Sequence, residues 1–128
     1  MTIEKELAAV IEKYRMHFQF LGIEITDVNQ RGAFDDTLMH FAAEVGSTED
    51  IDVLAASGAD IDAIGDLGNT PLHNAARLGN IASVKRLLEL GADPERINVF
   101  GQSAEVVAIS RGHDKLAEVI RNFKTGGL

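Results

Sequence analysis

The chain has 128 residues, 45% of them hydrophobic, which fits a single folded domain with a modest core and excludes wholesale disorder. It contains no cysteine, which excludes disulfides and thiolate metal sites and fits a reducing compartment. The formal net charge of −8 disfavours nucleic-acid binding, because phosphate contacts require lysine and arginine. No window approaches about 18 apolar residues, and residues 1–13 mix acids among the apolar positions. We therefore expect a cytoplasmic protein with neither a membrane span nor a secretory signal.

The negative charge is concentrated in one stretch of the chain. Residues 33–62 contain eight acids and no base, whereas the remaining stretches are nearly balanced. Such a block favours a basic partner protein, attracted over roughly a Debye length of about 8–10 Å. The alternative is that the acids only keep the surface soluble.

The first 32 residues are predicted to form a helical cap. Residues 3–14 have apolar side chains on one face at helical spacing, with Thr2 as the N-cap. Residues 15–26 are more apolar and predict a second short helix that ends near Gly22. The apolar face of the first helix consists of Ile3, Leu7, Val10, Ile11 and Tyr14.

After the cap, a skeleton of residues recurs every 33 positions. Both residues 58–60 and residues 91–93 read Gly-Ala-Asp. A fixed period of 20–50 residues predicts stacked repeats, and we place three at 33–63, 64–96 and 97–128. Such stacks present a surface to another molecule more often than they build a catalytic cleft. The equivalent positions are Thr37, Thr70 and Ser103; His40 and His73; Ala43 and Ala76; and Gly46, Gly79 and Gly112.

Each repeat is predicted to contain two helices. The Thr or Ser caps an inner helix, which the following glycine ends after about two turns. An outer helix follows, and Gly58 and Gly91 end the first two of these. Alanine pairs at 42–43 and 75–76 allow the inner helices of adjacent repeats to approach closely. The apolar positions of the outer helices are Ile51, Val53, Leu54, Ile81, Val84, Leu87, Leu88, Leu116, Val119 and Ile120.

The segments TPLHNAARLGN at 70–80 and VKRLLELGAD at 84–93 closely resemble the ankyrin repeat. The resemblance implies an all-α solenoid of stacked helix–turn–helix units with projecting finger loops. The first repeat is looser, and the third has Glu105 where a buried leucine is usual, a residue that the sequence does not explain. A terminal repeat is expected to be atypical because its outer face meets water. Residues 22–32 are expected to carry about three residues more than residues 58–68.

The resemblance further implies protein binding through the fingertips and the inner helices. Phe34, Leu67 and Phe100 form an apolar column that predicts anchors for a partner, or alternatively packing between neighbouring fingers. The run of Glu44, Arg77 and Arg111 predicts a charge gradient that orients a partner, or alternatively ion pairs worth at most about 1 kcal/mol. The predicted contact residues are Phe34, Asp35, Asp36, Glu44, Val45, Asp66, Leu67, Asn69, Arg77, Leu78, Phe100, Gln102 and Arg111, and the wider mapping adds Ala33, Val99 and Ser110.

No motif supports catalysis, a cofactor or a metal. His40 and His73 lie one repeat apart, without the i, i+4 pairing of a helical zinc site. The resemblance implies that these histidines, and His113, are structural. Residues 65–69 form a finger turn rather than a phosphate loop, and the acids at 49–52 lack the spacing of a calcium loop. They favour instead the N-terminus of a helix that Ser47 or Thr48 opens.

We therefore expect a non-enzymatic protein, monomeric when free, that binds a basic partner protein and inhibits it by covering its surface. Analogy with short bacterial ankyrin proteins suggests an immunity protein that neutralises a toxin, because masking a phosphate-binding surface requires negative charge. The alternatives are a regulatory adaptor or scaffold for an endogenous enzyme or transcription factor, and a designed scaffold. The irregular cap and Glu105 disfavour a designed scaffold, because idealised repeats are uniform.

Overall fold

The computed structural model describes residues 3–126, which form seven α-helices and two short 3₁₀ helices and contain no strand. The α-helices are α1 Ile3–Tyr14, α2 Leu38–Val45, α3 Thr48–Ala56, α4 Pro71–Leu78, α5 Ile81–Glu89, α6 Ala104–Ser110 and α7 Asp114–Lys124; the 3₁₀ helices are Phe18–Phe20 and Asp66–Gly68. Helices α2, α4 and α6 pack side by side as an inner layer, while α1, α3, α5 and α7 form an outer layer. Each inner helix also packs on the outer helix that follows it, which confirms the predicted all-α stack of helical hairpins.

The cap contains one α-helix rather than two. Helix α1 forms as predicted and packs on α3, but the second helix predicted for residues 15–26 is wrong, since this stretch forms only the 3₁₀ helix Phe18–Phe20. His17 is extended, and its Nδ1 accepts the Gln19 N–H at 3.3 Å, which starts a new tight turn instead of extending α1. Gly22 follows in the left-handed region at φ 80°. The predicted N-cap Thr2 lies outside the described residues.

The repeated residues begin all three inner helices and end the first two as predicted, whereas the C-cap of α6 is Arg111, one residue before Gly112. Thr37, Thr70 and Ser103 are the N-caps of α2, α4 and α6. Gly46 and Gly79 end α2 and α4 at φ 84° and 76°, a left-handed conformation that costs glycine little. Helix α3 is opened by Ser47, whose side chain accepts the Asp50 N–H at 3.2 Å.

Small side chains bring the inner helices close together. Ala42, Ala43, Ala75 and Ala76 are completely buried where α2 meets α4 and α4 meets α6. The loops after the inner helices then reach back to the preceding repeat. Asn80 Nδ2 donates to the Glu44 carbonyl at 2.5 Å, and at the equivalent place His113 Nε2 lies 3.2 Å from the Arg77 carbonyl oxygen. The predicted structural role of His113 is thereby confirmed.

Two buried histidines connect each inner helix to the next finger. His40 Nδ1 accepts the Thr37 backbone N–H at 3.1 Å, and its Nε2 lies 2.8 Å from the Asn69 carbonyl oxygen. His73 repeats this arrangement with the Thr70 N–H at 3.1 Å and the Gln102 carbonyl at 2.9 Å. Because a backbone N–H only donates and a carbonyl only accepts, both rings are the neutral tautomer with hydrogen on Nε2. The predicted structural role of these histidines is confirmed.

The 33-residue spacing of equivalent positions extends from the loops between repeats into the cap. The Asp60 N–H donates to Asn29 Oδ1 at 2.7 Å, and the Asp93 N–H donates to Asp62 Oδ1 at 3.1 Å. The two donors, Asp60 and Asp93, are 33 residues apart, and so are the two acceptors, Asn29 and Asp62, so the expectation of about three extra residues in 22–32 is wrong. The turn that Asp27 makes with the Asn29 N–H recurs at Asp60 and Asp93, which explains why the register holds.

The presence of an acid at position 105 is explained by two bases on α7. Its carboxylate lies 3.1 Å from Arg121 Nε and 3.6 Å from Lys124 Nζ, both on α7. The leucine usual at this position of the repeat is buried. In the last described repeat, Glu105 instead forms ion pairs with Arg121 and Lys124. The carboxylate thus joins α6 to α7.

The first prediction concerns Gly65, which lies directly against the first histidine. A Cβ atom at residue 65 would contact Asp36 Oδ1 and come within 2.7 Å of His40 Nε2. We expect Gly65→Ala to lower the free energy of unfolding by about 2–4 kcal/mol, because it overpacks the site and disturbs buried hydrogen bonds. Urea denaturation measures this. Gly101→Ala is the control: that site has open space at φ 72°, so we expect a loss of only about 1 kcal/mol. Equal losses would contradict the close-contact argument.

The second prediction concerns pH. Burial lowers the pKa of His40 and His73 below the ordinary value of 6.5, and the hydrogen bonds to carbonyls oppose this only in part. The unfolded chain then binds protons at a higher pH than the folded chain, so stability falls as pH drops below about 6.5 toward the folded pKa values. Each ring contributes a slope of up to about 1.4 kcal/mol per pH unit.

Urea denaturation of the wild type at about pH 7.5, 6.5 and 5.5, values that bracket the ordinary histidine pKa of about 6.5, measures that slope. We expect His73→Gln to flatten it and the exposed control Lys85→Gln to leave it unchanged. A wild-type stability that does not change over this range would rule out the proposed linkage.

Candidate functional site

Three hairpin fingers project from the starts of the inner helices. Each closes with a backbone bond across its base: Gly32 N–H to Asp36 O at 2.8 Å, Gly65 N–H to Asn69 O at 2.8 Å, and Asn98 N–H to Gln102 O at 3.0 Å. The second and third fingers are also joined directly, since the Val99 N–H donates to the Leu67 carbonyl at 3.0 Å. The fingers therefore form a connected row.

A groove with a volume of about 410 Å³ lies between the second and third fingers and the inner helices. It brings together most of the residues predicted to contact a partner. The predicted residues that line it are Asp36, Glu44, Asp66, Leu67, Asn69, Arg77, Phe100, Gln102 and Arg111.

The other predicted residues lie outside this groove. Phe34 and Asp35 are at the exposed tip of the first finger, where Asp35 adopts φ 73°, the left-handed conformation that glycine has in the other two fingers. Val45 and Leu78 are exposed at the ends of α2 and α4. All four extend the accessible surface beside the groove.

Two of the three residues of the apolar fingertip column are exposed in the groove. Leu67 is 51% exposed and Phe100 is 67% exposed, and both side chains line the groove. The alternative of sideways packing applies in part to Phe34, whose ring centroid lies 5.8 Å from that of Phe18 in the cap, although Phe34 remains 53% exposed. Large apolar side chains left exposed in a concave site are typical of binding surfaces.

At the centre of the groove, Glu44 and Arg77 form an ion pair, so they do not present the predicted gradient of unpaired charges to a partner. Arg77 Nη2 lies 2.9 Å from Glu44 Oε1, and Asn74 Nδ2 donates to the same oxygen at 3.1 Å. Burial raises the pKa of Glu44, and the Arg77 charge opposes that rise. The alternative of ion pairing between repeats therefore holds for this pair. Arg111 is exposed and makes no ion pair or side-chain hydrogen bond with any residue between 3 and 126.

Asp36 holds the fingers in place. It is 6% exposed, its Oδ1 accepts the Asp66 backbone N–H at 2.9 Å, and its Oδ2 accepts Gln19 Nε2 at 3.1 Å. At the equivalent place, Asn69 Oδ1 accepts Asn98 Nδ2 at 3.0 Å. These side chains position the groove, whereas the exposed charge of the second finger is Asp66.

Most of the eight acids in residues 33–62 do not line the groove. Asp50 lies 2.7 Å from Lys13 Nζ of α1, Asp52 pairs with Arg86 of α5, and Glu44 pairs with Arg77. Bases outside the block thus neutralise several of its acids. Among the acids that remain solvent-exposed, Asp35 lies at a fingertip and Asp60 in the loop after α3.

Several exposed apolar residues were missing from the predicted set. Ile64 and Ile97, one period apart, are 43% and 62% exposed in the loops before the second and third fingers. Val106 and Ile109 are exposed on α6. For Ile64 and Ile97 the signal is the Arg31 at the equivalent position, and for Val106 it is the histidine that the two earlier repeats have there. Ile109 is in line with Ala43 and Ala76, so only its larger size distinguishes it.

Within residues 3–126, no helix is long and apolar enough to cross a membrane. The same residues contain no cluster of three or more histidine and acidic side chains arranged to hold a metal ion.

Comparison with known proteins identifies the family. No curated protein is significantly similar to this chain. The family model described as ankyrin repeats in three copies matches residues 7–98 and, overlapping them, residues 39–125. These matches span nearly the whole chain and include every helical hairpin of the described structure. The chain therefore belongs to the ankyrin-repeat family, whose repeats are protein–protein interaction modules.

Proposed function

We propose that the groove binds a basic partner protein, that Leu67 and Phe100 anchor it, and that binding inhibits the partner by covering part of its surface. The partner that best fits an acidic inhibitor is a toxin whose own active surface is basic, such as an enzyme that binds phosphates. The chain would then act as an immunity protein without any catalytic step of its own.

The exposed pair Leu67 and Phe100 carries the proposal. Both side chains project from fingers whose backbones are already held by hydrogen bonds from His73 and Val99. Little backbone conformational entropy is then lost when a partner binds these fingers. Removing their apolar area from water contributes about 25 cal/mol per Å², so two large anchors supply a substantial part of a specific affinity.

The net charge supports a basic partner through long-range attraction. Acids exceed bases by eight in the whole chain, and Asp35 and Asp66 keep exposed carboxylates on the fingers. Attraction of this kind mainly raises the association rate and is screened by salt over a Debye length of about 8–10 Å. Binding that weakens with salt mainly through slower association is the expected kinetic signature.

The third prediction compares two phenylalanines. Phe100→Ala should weaken binding to the captured partner by about 10- to 100-fold, because truncating a central anchor commonly costs about 1.4–2.8 kcal/mol. The control is Phe123→Ala on α7, where the side chain is 47% exposed but lies away from the fingers. We expect the control to change affinity by less than about twofold.

To obtain the partner, the immobilised chain captures proteins from its native cell extract at low and high salt. Surface plasmon resonance then measures each variant against the purified partner, and an activity or growth assay tests inhibition. A basic toxin whose activity returns with Phe100→Ala supports the immunity function. An endogenous enzyme or transcription factor would instead indicate a regulatory adaptor, and equal effects of the two alanine variants would rule out the groove.

A further inference from the structure

The charges around the groove specify more than a basic partner. We propose that the groove receives a partner segment of mixed charge, with basic side chains at one end, apolar side chains in the middle and a carboxylate at the other end, and that this carboxylate pairs with Arg111. The inference rests on the proposed function and adds the composition and direction of the bound segment.

The middle of the groove is electrically compensated. Glu44 and Arg77 satisfy each other at 2.9 Å, and Glu44 accepts a further bond from Asn74. Asp36 is buried and accepts hydrogen bonds from Gln19 and Asp66. A partner group over this region meets an ion pair and a buried, hydrogen-bonded carboxylate rather than an exposed charge, so an apolar side chain fits best there.

The third-repeat end of the groove carries an uncompensated cation. Arg111 follows α6, and its backbone N–H is fixed by the Val107 and Ala108 carbonyls at 3.1 and 3.2 Å. Its guanidinium is exposed, lines the groove with Phe100, and has no ion-pair partner within residues 3–126. A guanidinium forms its strongest contacts with carboxylates, through two parallel hydrogen bonds.

The opposite end carries more anions than cations: Asp66 and Asp35 lie there with the base Arg31, whose Nη1 donates to the Asp35 and Ile64 carbonyls. Asp66 lines the groove from the second finger, and its exposed carboxylate makes no hydrogen bond or ion pair in the described part of the chain. Asp35 is exposed on the neighbouring first finger. Basic side chains of a partner are complementary to this end.

Charge complementarity then selects among possible segments. A uniformly basic segment would place a cation against Arg111, and a uniformly acidic one would place carboxylates against Asp66 and Asp35. Each arrangement juxtaposes like charges, which disfavours binding and serves specificity. A segment of mixed charge satisfies both ends while its apolar side chains contact Leu67 and Phe100.

The fourth prediction uses synthetic peptides of equal length with the same leucine-rich middle. One peptide has lysines at one end and glutamates at the other; a second has lysines at both ends; a third has glutamates at both ends. Fluorescence anisotropy measures their binding to the full chain. We expect the mixed peptide to bind at least about 10-fold more tightly than either of the others, a difference of about 1.4 kcal/mol.

Two charge reversals separate local pairing from overall charge. Arg111→Glu and Lys85→Glu change the net charge equally, and Lys85 is an exposed base on α5, away from the groove. We expect Arg111→Glu to weaken the mixed peptide by at least about 10-fold and to tighten the peptide with two basic ends. Lys85→Glu should change both affinities only slightly and in the same direction.

A nitroxide spin label on the peptide, detected by NMR, shows in which direction the peptide lies in the groove. Placed on the glutamate end of the mixed peptide, it should broaden amide signals of residues 106–112, and placed on the lysine end it should broaden those of residues 33–36 and 66. Equal affinities of the mixed and basic peptides, no effect of Arg111→Glu, no binding of any peptide, or labels that broaden both regions alike would overturn the inference. The proposed function is tested independently of these peptides: it fails if Phe100→Ala leaves binding to the captured basic partner unchanged.

Discussion

A neutral histidine ring that bridges one repeat to the next is the interaction on which the site depends. Nδ1 accepts the N–H of the capping threonine, and Nε2 reaches the carbonyl at the base of the following finger at 2.8–2.9 Å. One side chain therefore fixes the start of a helix and the position of the next finger together. Because the ring is buried, losing either bond would leave a polar atom without a partner, which costs about 1–3 kcal/mol. These histidine bridges therefore set the positions of the fingers that border the groove.

Polar contacts stabilise the first and the last of the described repeats. At the beginning, Gln19 in the cap accepts the Ala33 N–H with its carbonyl at 2.8 Å and the Phe34 N–H with Oε1 at 3.2 Å, so the cap supports the first finger. At the other end, Glu105 pairs with Arg121 and Lys124 across α6 and α7. A repeat stack requires such end units, because an internal repeat exposes an apolar face when its neighbour is absent.

Tertiary packing also redistributes the charge of the chain. The acidic block at 33–62 receives bases from α1, α4 and α5 through Lys13, Arg77 and Arg86. What remains at the groove is a small set of separated charges, acidic on the fingers of the first two repeats and basic at Arg111. Net charge therefore describes how a partner is attracted from a distance, whereas the local pattern describes how it is held.

The sequence by itself determined the fold of the repeats, because their caps, glycines and apolar positions act locally and recur every 33 residues. It also indicated the structural histidines and the exposed apolar column through the family resemblance. The burial of Asp36 and the partners of Glu44 and Glu105 were decided only by tertiary structure. The physical reason is that burial and ion pairing depend on which side chains meet across repeats about 30 or more residues apart, or across two helices, and no local pattern encodes those distances.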